Sequence, residues 1–461
     1  MALTITFHGG AEAVTGSNFL IKSDEGGTIL VDCGLEQGKD FCEACMYDPF
    51  PYDAADIESL VITHAHLDHV GRGPKLVKEG FRGDIYMTAP TRDLTELMLR
   101  DSVGIMDMEA RERGRPPLFK EEDVNLFLSL IKTVEYKEKI QTAPGIEVTL
   151  RNTGHILGSA SVRIEGGDGT VLAITSDIGN SPSPLLPDAE HIKDADVVVL
   201  ESVYGDRLHD KTDRVKQLTD AIQAGIDRGG AILIPAFSIE RTQLMLYELS
   251  NLFESGALPK IPVFLDSPLA IAVTEVYEKW GDKYFKDAAQ DEMKRENSLF
   301  KFPFLTMTPS RDESMDIDKT PNPKIIIAGA GMSHGGRIGR HEAKYLPDPA
   351  TTLMIVGYQA PGSPGRLLQD GSPTVRLNGR DVRVRAKVGT FSGWSGHADR
   401  DGLLAFAEKA LPKAKTFFVS LGEPAAARFL AQRIHDYLGA RAIVASKDET
   451  WRISKGNVER I

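Results

Sequence analysis

The sequence predicts an α/β protein of two or three domains, and three observations carry that prediction. The chain has 461 residues, more than one hydrophobic core accommodates, because cores stop growing at about 250–300 residues. Its first 200 residues alternate short β runs with turns. Beyond Glu201 the pattern lengthens into β-then-α units whose strands are apolar throughout, the signature of a parallel, doubly wound sheet.

The elements follow in order. Alternating apolar and polar residues mark a strand at Leu3–Phe7, and further short strands are expected at Asn18–Ile21, Thr28–Val31, Leu60–Thr63, Asp84–Thr88 and Glu147–Arg151. Two stretches of helical spacing lie between Thr91 and Val134, parted by Gly114-Arg-Pro-Pro117. Ser161–Glu165 and Thr170–Thr175 form a hairpin around Gly166-Gly-Asp-Gly169, whose glycines suit positive-φ turn positions. Asp196-Val-Val-Val-Leu200 has the length and β-branching of a buried strand. In the second pattern Ala231–Ile234 precedes a helix over Ile239–Phe253, and Val263–Leu265 precedes one over Pro268–Lys279. Lys324–Ile327 and Thr352–Val356 read as further buried strands. The chain closes with the strand Thr416–Ser420, a helix over Pro424–Leu438 and the strand Ala442–Ala445.

Composition narrows the function classes. With 41% hydrophobic and 26% charged residues the chain is ordinarily globular. No apolar stretch is long enough to span a bilayer and no secretion signal opens the chain, so no membrane partner is expected. Three cysteines, Cys33, Cys42 and Cys45, fit a reducing, cytoplasmic setting. Cys42-x-x-Cys45 stands without the second pair a zinc knuckle needs. The net charge of −12 looks unsuited to a polyanionic partner. It is unevenly spread, however: Asp206–Gly389 carries 25 basic and 24 acidic residues, leaving −13 for the remainder. Local field matters more than the total.

The chemistry concentrates in Val61–Arg72, VITHAHLDHVGR, which holds three of only 11 histidines. A helix does not bring His64 and His66 to one face, since positions i and i+2 point about 200° apart. A loop leaving a strand end does. Imidazole and carboxylate are zinc's usual ligands in hydrolytic sites, with one position open for water. Four candidates so close together exceed the need of one open site and point to two metals. Asp32, at the end of Thr28–Val31, is either a partner that fixes an imidazole tautomer or an ordinary strand-end carboxylate.

His64-Ala-His66-Leu-Asp68-His69 resembles the signature of the metallo-β-lactamase fold, and the rest of the chain resembles its RNA-processing branch, the β-CASP nucleases. The likeness runs nearly end to end. It takes in Val14-Thr-Gly-Ser17, Val31-Asp-Cys-Gly34, Asn152-Thr-Gly-His155, Thr175-Ser-Asp-Ile178 and Leu200-Glu-Ser-Val-Tyr-Gly205. It continues through Ile234-Pro-Ala-Phe237, Asp266-Ser-Pro268, Gly329-Ala-Gly-Met332, Gly357-Tyr-Gln359 and Phe391-Ser-Gly-Trp-Ser-Gly-His397. The resemblance implies an αββα sandwich over 1–203 and 390–461, interrupted at 204–389 by a β-CASP α/β cap with a parallel sheet.

Carried over residue by residue, it implies one metal on His64, His66 and His155, and a second on Asp68 and His69, with Asp177 bridging. Asp68, Glu201 and His397 become the catalytic residues, with the Glu201–His397 pair on the leaving-group side. A nearby carboxylate favours imidazolium, which suits protonation of a departing oxygen. Asp399 reads instead as a helix cap. Zinc is the implied ion, one or two per chain, with manganese as the alternative. Ser238, Arg241, Ser267, Gly335, Gly336 and Arg337 stand where the family contacts phosphate, and Arg340 lies close by. At one position the chain departs from the pattern. Past Thr416–Val419 the family offers His-Gly-Glu, and here Leu421-Gly422-Glu423 follows Ser420. Leucine cannot ligate. His8, His334 and His341 are the substitutes considered.

The function implied is hydrolysis of single-stranded RNA by endonucleolytic or 5′→3′ exonucleolytic cleavage. With neither KH domains nor a C-terminal extension expected, the cleft under the cap or a partner would select the RNA, and a homodimer is admitted. Two alternatives stand against this. Leu421 motivates a catalytically weak or inactive RNA-binding scaffold. The metal motif alone also fits hydrolysis of a small ester or lactam, which leaves the long insert unexplained.

Overall fold

The computed structural model describes residues 2–36, 44–114, 116–210, 213–296, 298–360 and 362–461. Cys42 lies outside them. Two compact units emerge, Met1–Leu208 with His397–Ile461, and His209–Gly396. The strand Lys387–Thr390 pairs in parallel with Thr352–Ile355, which carries the second unit past Gly389.

The first unit is a sandwich of two sheets. One has eight strands in the order Asn457–Arg460, Thr450–Ser454, Leu3–Gly9, Asn18–Ser23, Thr28–Val31, Ser59–Val61, Asp84–Met87 and Ile131–Thr133. The other has seven, in the order Arg441–Val444, Thr416–Ser420, Val197–Glu201, Val171–Ile174, Ala160–Gly166, Ile146–Asn152 and Lys139–Ala143. The alternation in Leu3–Gly9 turns Leu3, Ile5 and Phe7 into the core between the sheets, where they join Ile146, Val148, Val162 and Ile164. The outer face of the first sheet, with Leu30, Leu60 and Ile62, is covered by Leu76, Val77 and Phe127 from helices. The outer face of the second, with Val198, Leu200, Phe417 and Val419, packs on Leu403, Phe406, Leu430 and Ile434. The layers therefore run helix, sheet, sheet, helix, as expected of the αββα sandwich.

Within each sheet the strands that matter for chemistry are parallel. Thr28–Val31 pairs with Ser59–Val61, and Val171–Ile174, Val197–Glu201 and Thr416–Ser420 pair in turn. Parallel strands bring their carboxyl ends to one edge, the usual place for a site in such sheets. Asp32, His64, Asp177, Glu201 and Leu421 all lie at or just past those ends.

The second unit holds six parallel strands in the order Leu305–Met307, Val263–Leu265, Lys324–Ala328, Ala231–Pro235, Thr352–Ile355 and Lys387–Thr390. This is the expected doubly wound sheet, and its near-continuous apolar runs follow from burial on both faces. The sequence pattern missed the helices Asp287–Glu296, Arg311–Asp316, Gly336–Tyr345 and Pro364–Gln369 and both C-terminal hairpins, Thr374–Leu377 with Arg380–Arg383 and Thr450–Ser454 with Asn457–Arg460. Between Thr91 and Val134 the structure has helices Ala89–Arg113 and Glu121–Ser129, but the last residues form the edge strand Ile131–Thr133. Among the described residues no helix is long and apolar enough to cross a membrane.

Candidate metal centre

Just past the strand Ser59–Val61 come Thr63 and His64, and a single helical turn, Leu67–Val70, then carries Asp68 and His69. Gly34 makes room for that turn. A Cβ on it would lie 1.6 Å from the Asp68 carbonyl oxygen, so only glycine fits. Gly179 plays the same part opposite, where a Cβ would lie 2.1 Å from the Gly154 carbonyl oxygen and 2.8 Å from the His155 nitrogen. His155 and Asp177 thereby approach the histidine loop, although the sequence separates them from it by about a hundred residues.

Four ligand atoms converge. His64 Nε2 lies 3.1 Å from His66 Nδ1, and His155 Nε2 lies 3.3 Å from the same Nδ1. Asp177 Oδ2 lies 3.4 Å from both His64 Nε2 and His155 Nε2. An ion held tetrahedrally at the usual ~2.0–2.1 Å sets its ligands about 3.3–3.4 Å apart. His64, His66, His155 and Asp177 thus fit one divalent ion. All four are buried or nearly so, and burial pushes the three imidazoles below their usual range, His66 and His155 well below. Neutral imidazole is the ligating form.

The second set is sparser. His69 Nε2 is buried with no hydrogen-bond partner among the described residues. It lies 3.5 Å from the same Asp177 Oδ2 and 3.9 Å from Asp68 Oδ2. These three groups fit a second ion that shares Asp177. Leu421 adds nothing to it. It is 1% exposed, belongs to the core between the sheets, and touches Gly10, where a Cβ would meet Leu421 Cδ2 at 2.6 Å. His8 Nδ1 pairs with Asp448 Oδ1 and His341 Nε2 with Asp266 Oδ2, so each of these two ring nitrogens is engaged elsewhere.

Asp32 is no idle strand-end carboxylate. It is fully buried, and its Oδ2 accepts hydrogen bonds from His69 Nδ1 at 2.7 Å, Ser17 Oγ at 2.9 Å and Thr63 Oγ1 at 3.0 Å. Its Oδ1 accepts from the Thr63 N–H. Since the Thr63 hydroxyl gives its proton to Asp32, the 3.1 Å contact with His64 Nδ1 has the imidazole donating. Both histidines thus carry the proton on Nδ1 and leave Nε2 for metal. With no metal bound, burial pushes His69 down but Asp177, Asp32 and Asp68 together hold it well above the usual imidazole range, and an ion on Nε2 would displace that second proton. Thr63, Ser17 and Ser176 stand in the sequence inside the motifs without a signal of their own. The structure shows why: Ser176 Oγ lies 2.8 Å from Thr63 Oγ1, a relay of small hydroxyls with no spacing signature.

Glu201 and His397 meet as expected. His397 Nδ1 lies 3.4 Å from Glu201 Oε1, and the carboxylate is fixed by the N–H groups of Ile178 and Val203. Gly179 bridges to His397, and the Ala398 N–H donates to the Ile178 carbonyl. Burial lowers His397, yet Glu201 and Asp177 raise it above its ordinary value. Asp399 caps the helix Arg400–Ala410 by accepting from the Gly402 N–H.

In the second unit, carboxyl ends of parallel strands again gather the expected residues. Ser238 Oγ and Ser267 Oγ lie 3.7 and 3.6 Å from where a Cβ on Gly329 would stand. Gly336 follows, its own Cβ position 2.7 Å from the Gly329 carbonyl oxygen. The two arginines are already engaged within the unit. Arg337 donates to Asp266 Oδ1 and to the carbonyls of Thr308 and Pro309, and Arg241, 8% exposed, donates to the Trp394 carbonyl. Arg340 is held by Asp318 and the Ser314 carbonyl. A buried carboxylate, Asp266, needs such donors, and the Arg337 guanidinium is one of them.

A four-layer sandwich with a His/Asp centre at its strand ends defines a metallo-hydrolase. Profiles of the metallo-β-lactamase superfamily, the β-CASP domain and a Zn-dependent metallo-hydrolase RNA specificity domain match residues 12–175, 242–368 and 381–445. The chain is 37% identical to ribonuclease TTHA0252 of Thermus thermophilus over 397 residues, 86% of this chain and 88% of that protein. It is 30% identical to the transcription termination factor FttA of Methanosarcina mazei, over 97% of this chain and 71% of the factor. A protein of unknown function from Enterococcus faecalis shares the fold at a TM-score of 0.53 and 12% identity, covering 98% of this chain and 100% of that one. The chain belongs to the β-CASP family of metallo-β-lactamase hydrolases.

Proposed function

We propose that the chain is a metal-dependent ribonuclease that hydrolyses phosphodiesters of single-stranded RNA, leaving 5′-phosphate and 3′-hydroxyl ends. The observation that carries this reading is the convergence of His64, His66, His155 and Asp177 at ligand spacing beside the Glu201–His397 pair. Zinc is the proposed ion, with manganese as the alternative. His64, His66, His155 and Asp177 would hold one ion, and Asp68, His69 and Asp177 would hold a second more loosely. When bound, divalent ions supply an activated water near neutral pH and offset phosphate charge. Asp68, one-quarter exposed, would take up the proton of the attacking water. His397, kept protonated by Glu201 and Asp177, gives a proton to the departing 3′ oxygen as its bond to phosphorus breaks. Ser238, Ser267 and the Gly335–Gly336 N–H groups would hold a substrate phosphate, since successive turn amides make anion-binding concavities.

The test is cleavage of a 5′-labelled single-stranded RNA by the protein supplied with zinc or manganese, with Asp68→Ala as control. Cleavage that the control lacks is expected, and fragment sizes separate internal from terminal cutting. No cleavage with either metal would overturn the reading.

A further inference from the structure

One buried acid of the second unit has no part in the reaction described above. Glu342 lies in the helix Gly336–Tyr345, fully buried. Its Oε1 accepts a hydrogen bond from Ser333 Oγ at 2.6 Å, and its Oε2 has no hydrogen-bond partner among the described residues. Burial pushes its carboxyl up to about 7. Such a group in an apolar setting costs stability unless something requires it.

What it touches is the Gly-rich loop Gly329–Gly336. Ser333 is 2% exposed and has φ +59°, a conformation that non-glycine residues adopt only when their surroundings impose it. It is the one described non-glycine residue of the loop with positive φ. The other ties of the loop run through its backbone. The Ser333 N–H donates to the Ala330 carbonyl, Gln359 Nε2 to the Gly331 carbonyl and the Gly365 N–H to the Met332 carbonyl. Beyond Ser333 the chain turns left-handed at Gly335 and Gly336, with open space around Gly335. The Ser333–Glu342 bond is therefore the side-chain anchor immediately before the two amides assigned to phosphate.

We infer that Glu342 is a positioning residue for RNA binding: through Ser333 it fixes the loop so that the Gly335 and Gly336 N–H groups point at a substrate phosphate. This rests on the phosphate reading of that loop. The experiment measures KM and kcat of the metal-loaded protein on a 5′-phosphorylated single-stranded oligoribonucleotide. Ser333→Gly keeps the left-handed backbone without strain and removes the hydroxyl, and Glu342→Leu removes its acceptor. Each is expected to raise KM about tenfold, the equivalent of one net hydrogen bond, with kcat within about twofold. Glu342→Gln, whose amide oxygen accepts the same bond, is expected to restore KM. Should Glu342→Leu fail to fold, Ser333→Gly still decides. Gly336→Ala, which drives a Cβ into the Gly329 carbonyl, tests the loop itself. If it raises KM while Ser333→Gly and Glu342→Leu do not, or if Glu342→Gln behaves like Glu342→Leu, the inference is overturned and the phosphate reading stands. If Gly336→Ala leaves KM unchanged as well, the phosphate reading falls with it.

Discussion

Asp32→Asn is the sharpest test of how this centre is held. The native carboxylate accepts four hydrogen bonds, three of them on Oδ2. With the amide oxygen left facing the Thr63 N–H, an NH2 group faces Ser17, Thr63 and His69, all of which donate. Two consequences follow. The fold loses a charge-assisted bond and gains opposed donors at a fully buried position, worth about 2–4 kcal/mol. His69 also loses the partner that fixes its proton on Nδ1, and loss of such a partner typically costs 10–100-fold in metal affinity, about 1.4–2.7 kcal/mol. His64 is reached only through Thr63, so the four-ligand ion should weaken less. The assay is stepwise zinc competition against a chromophoric chelator, run on both proteins below their unfolding temperatures. The expected result is a weaker second dissociation constant, shifted at least tenfold, with the first shifted by a few-fold at most. A second constant within twofold of wild type would refute the role given to Asp32. An equal shift in both constants would show that the Thr63 relay to His64 matters as much as the direct bond to His69.

Three further outcomes are expected. His397→Ala should slow cleavage by about 10²–10³, the usual contribution of a general acid, with bound metal unchanged by elemental analysis; loss of the metal would remove His397 from that role. Leu421→His should raise zinc towards two per chain at limiting metal, and should cost stability because a buried leucine worth about 2–3 kcal/mol is lost from the core; unchanged stoichiometry would mean that the second position needs no fourth ligand. Glu240 is buried, accepts from Tyr277 Oη at 2.6 Å, and burial pushes its carboxyl up to about 7. A carboxyl raised in the folded state contributes stability that is whole below its unfolded value of 4.5 and is lost as pH rises through 7, up to roughly 3 kcal/mol. Glu240→Gln should flatten the fall in the urea midpoint between pH 5 and 8, followed by tryptophan fluorescence, and a variant with the wild-type slope would contradict the assignment.

Much of this was legible because the local signals and the tertiary structure agree. The strands Thr28–Val31 and Thr416–Ser420 are β-branched or aromatic runs that have no other stable home, and the structure has them at those residues. His64, His66, Asp68 and His69 announce themselves by density. Other parts had no local signal. The hairpin Thr450–Ser454 with Asn457–Arg460 becomes a sheet member only by pairing with Leu3–Thr6, some 450 residues away. Gly336–Tyr345 is glycine-rich at its start and reads as a turn until Gly329 and Asp266 are packed around it. Arg337 illustrates a contact without a local signal: the buried Asp266 it pairs with lies 71 residues away in sequence.

The backbone of the centre explains how one ligand position can be lost without losing the rest. Asp32, Ser176 and Leu421 all have left-handed φ, +60°, +52° and +49°, each at a strand end where the chain must turn sharply towards the metal. Such conformations cost about 1–3 kcal/mol and persist only where surrounding structure imposes them. For Asp32 and Ser176 the side chains repay that strain through the Thr63 relay. Leu421 has no polar role, yet its N–H donates to the Gly10 carbonyl and its carbonyl accepts from the Ser202 N–H, next to Glu201. The Ser202 bond ties the loop after Thr416–Ser420 to the segment that carries Glu201, and the Gly10 bond ties it to the end of the strand Leu3–Gly9. The turn at Leu421 therefore supports the Glu201 segment through its backbone alone. The convergence of His64, His66, His155 and Asp177 and the Glu201–His397 contact are thus present in a chain whose Leu421 offers no ligand atom.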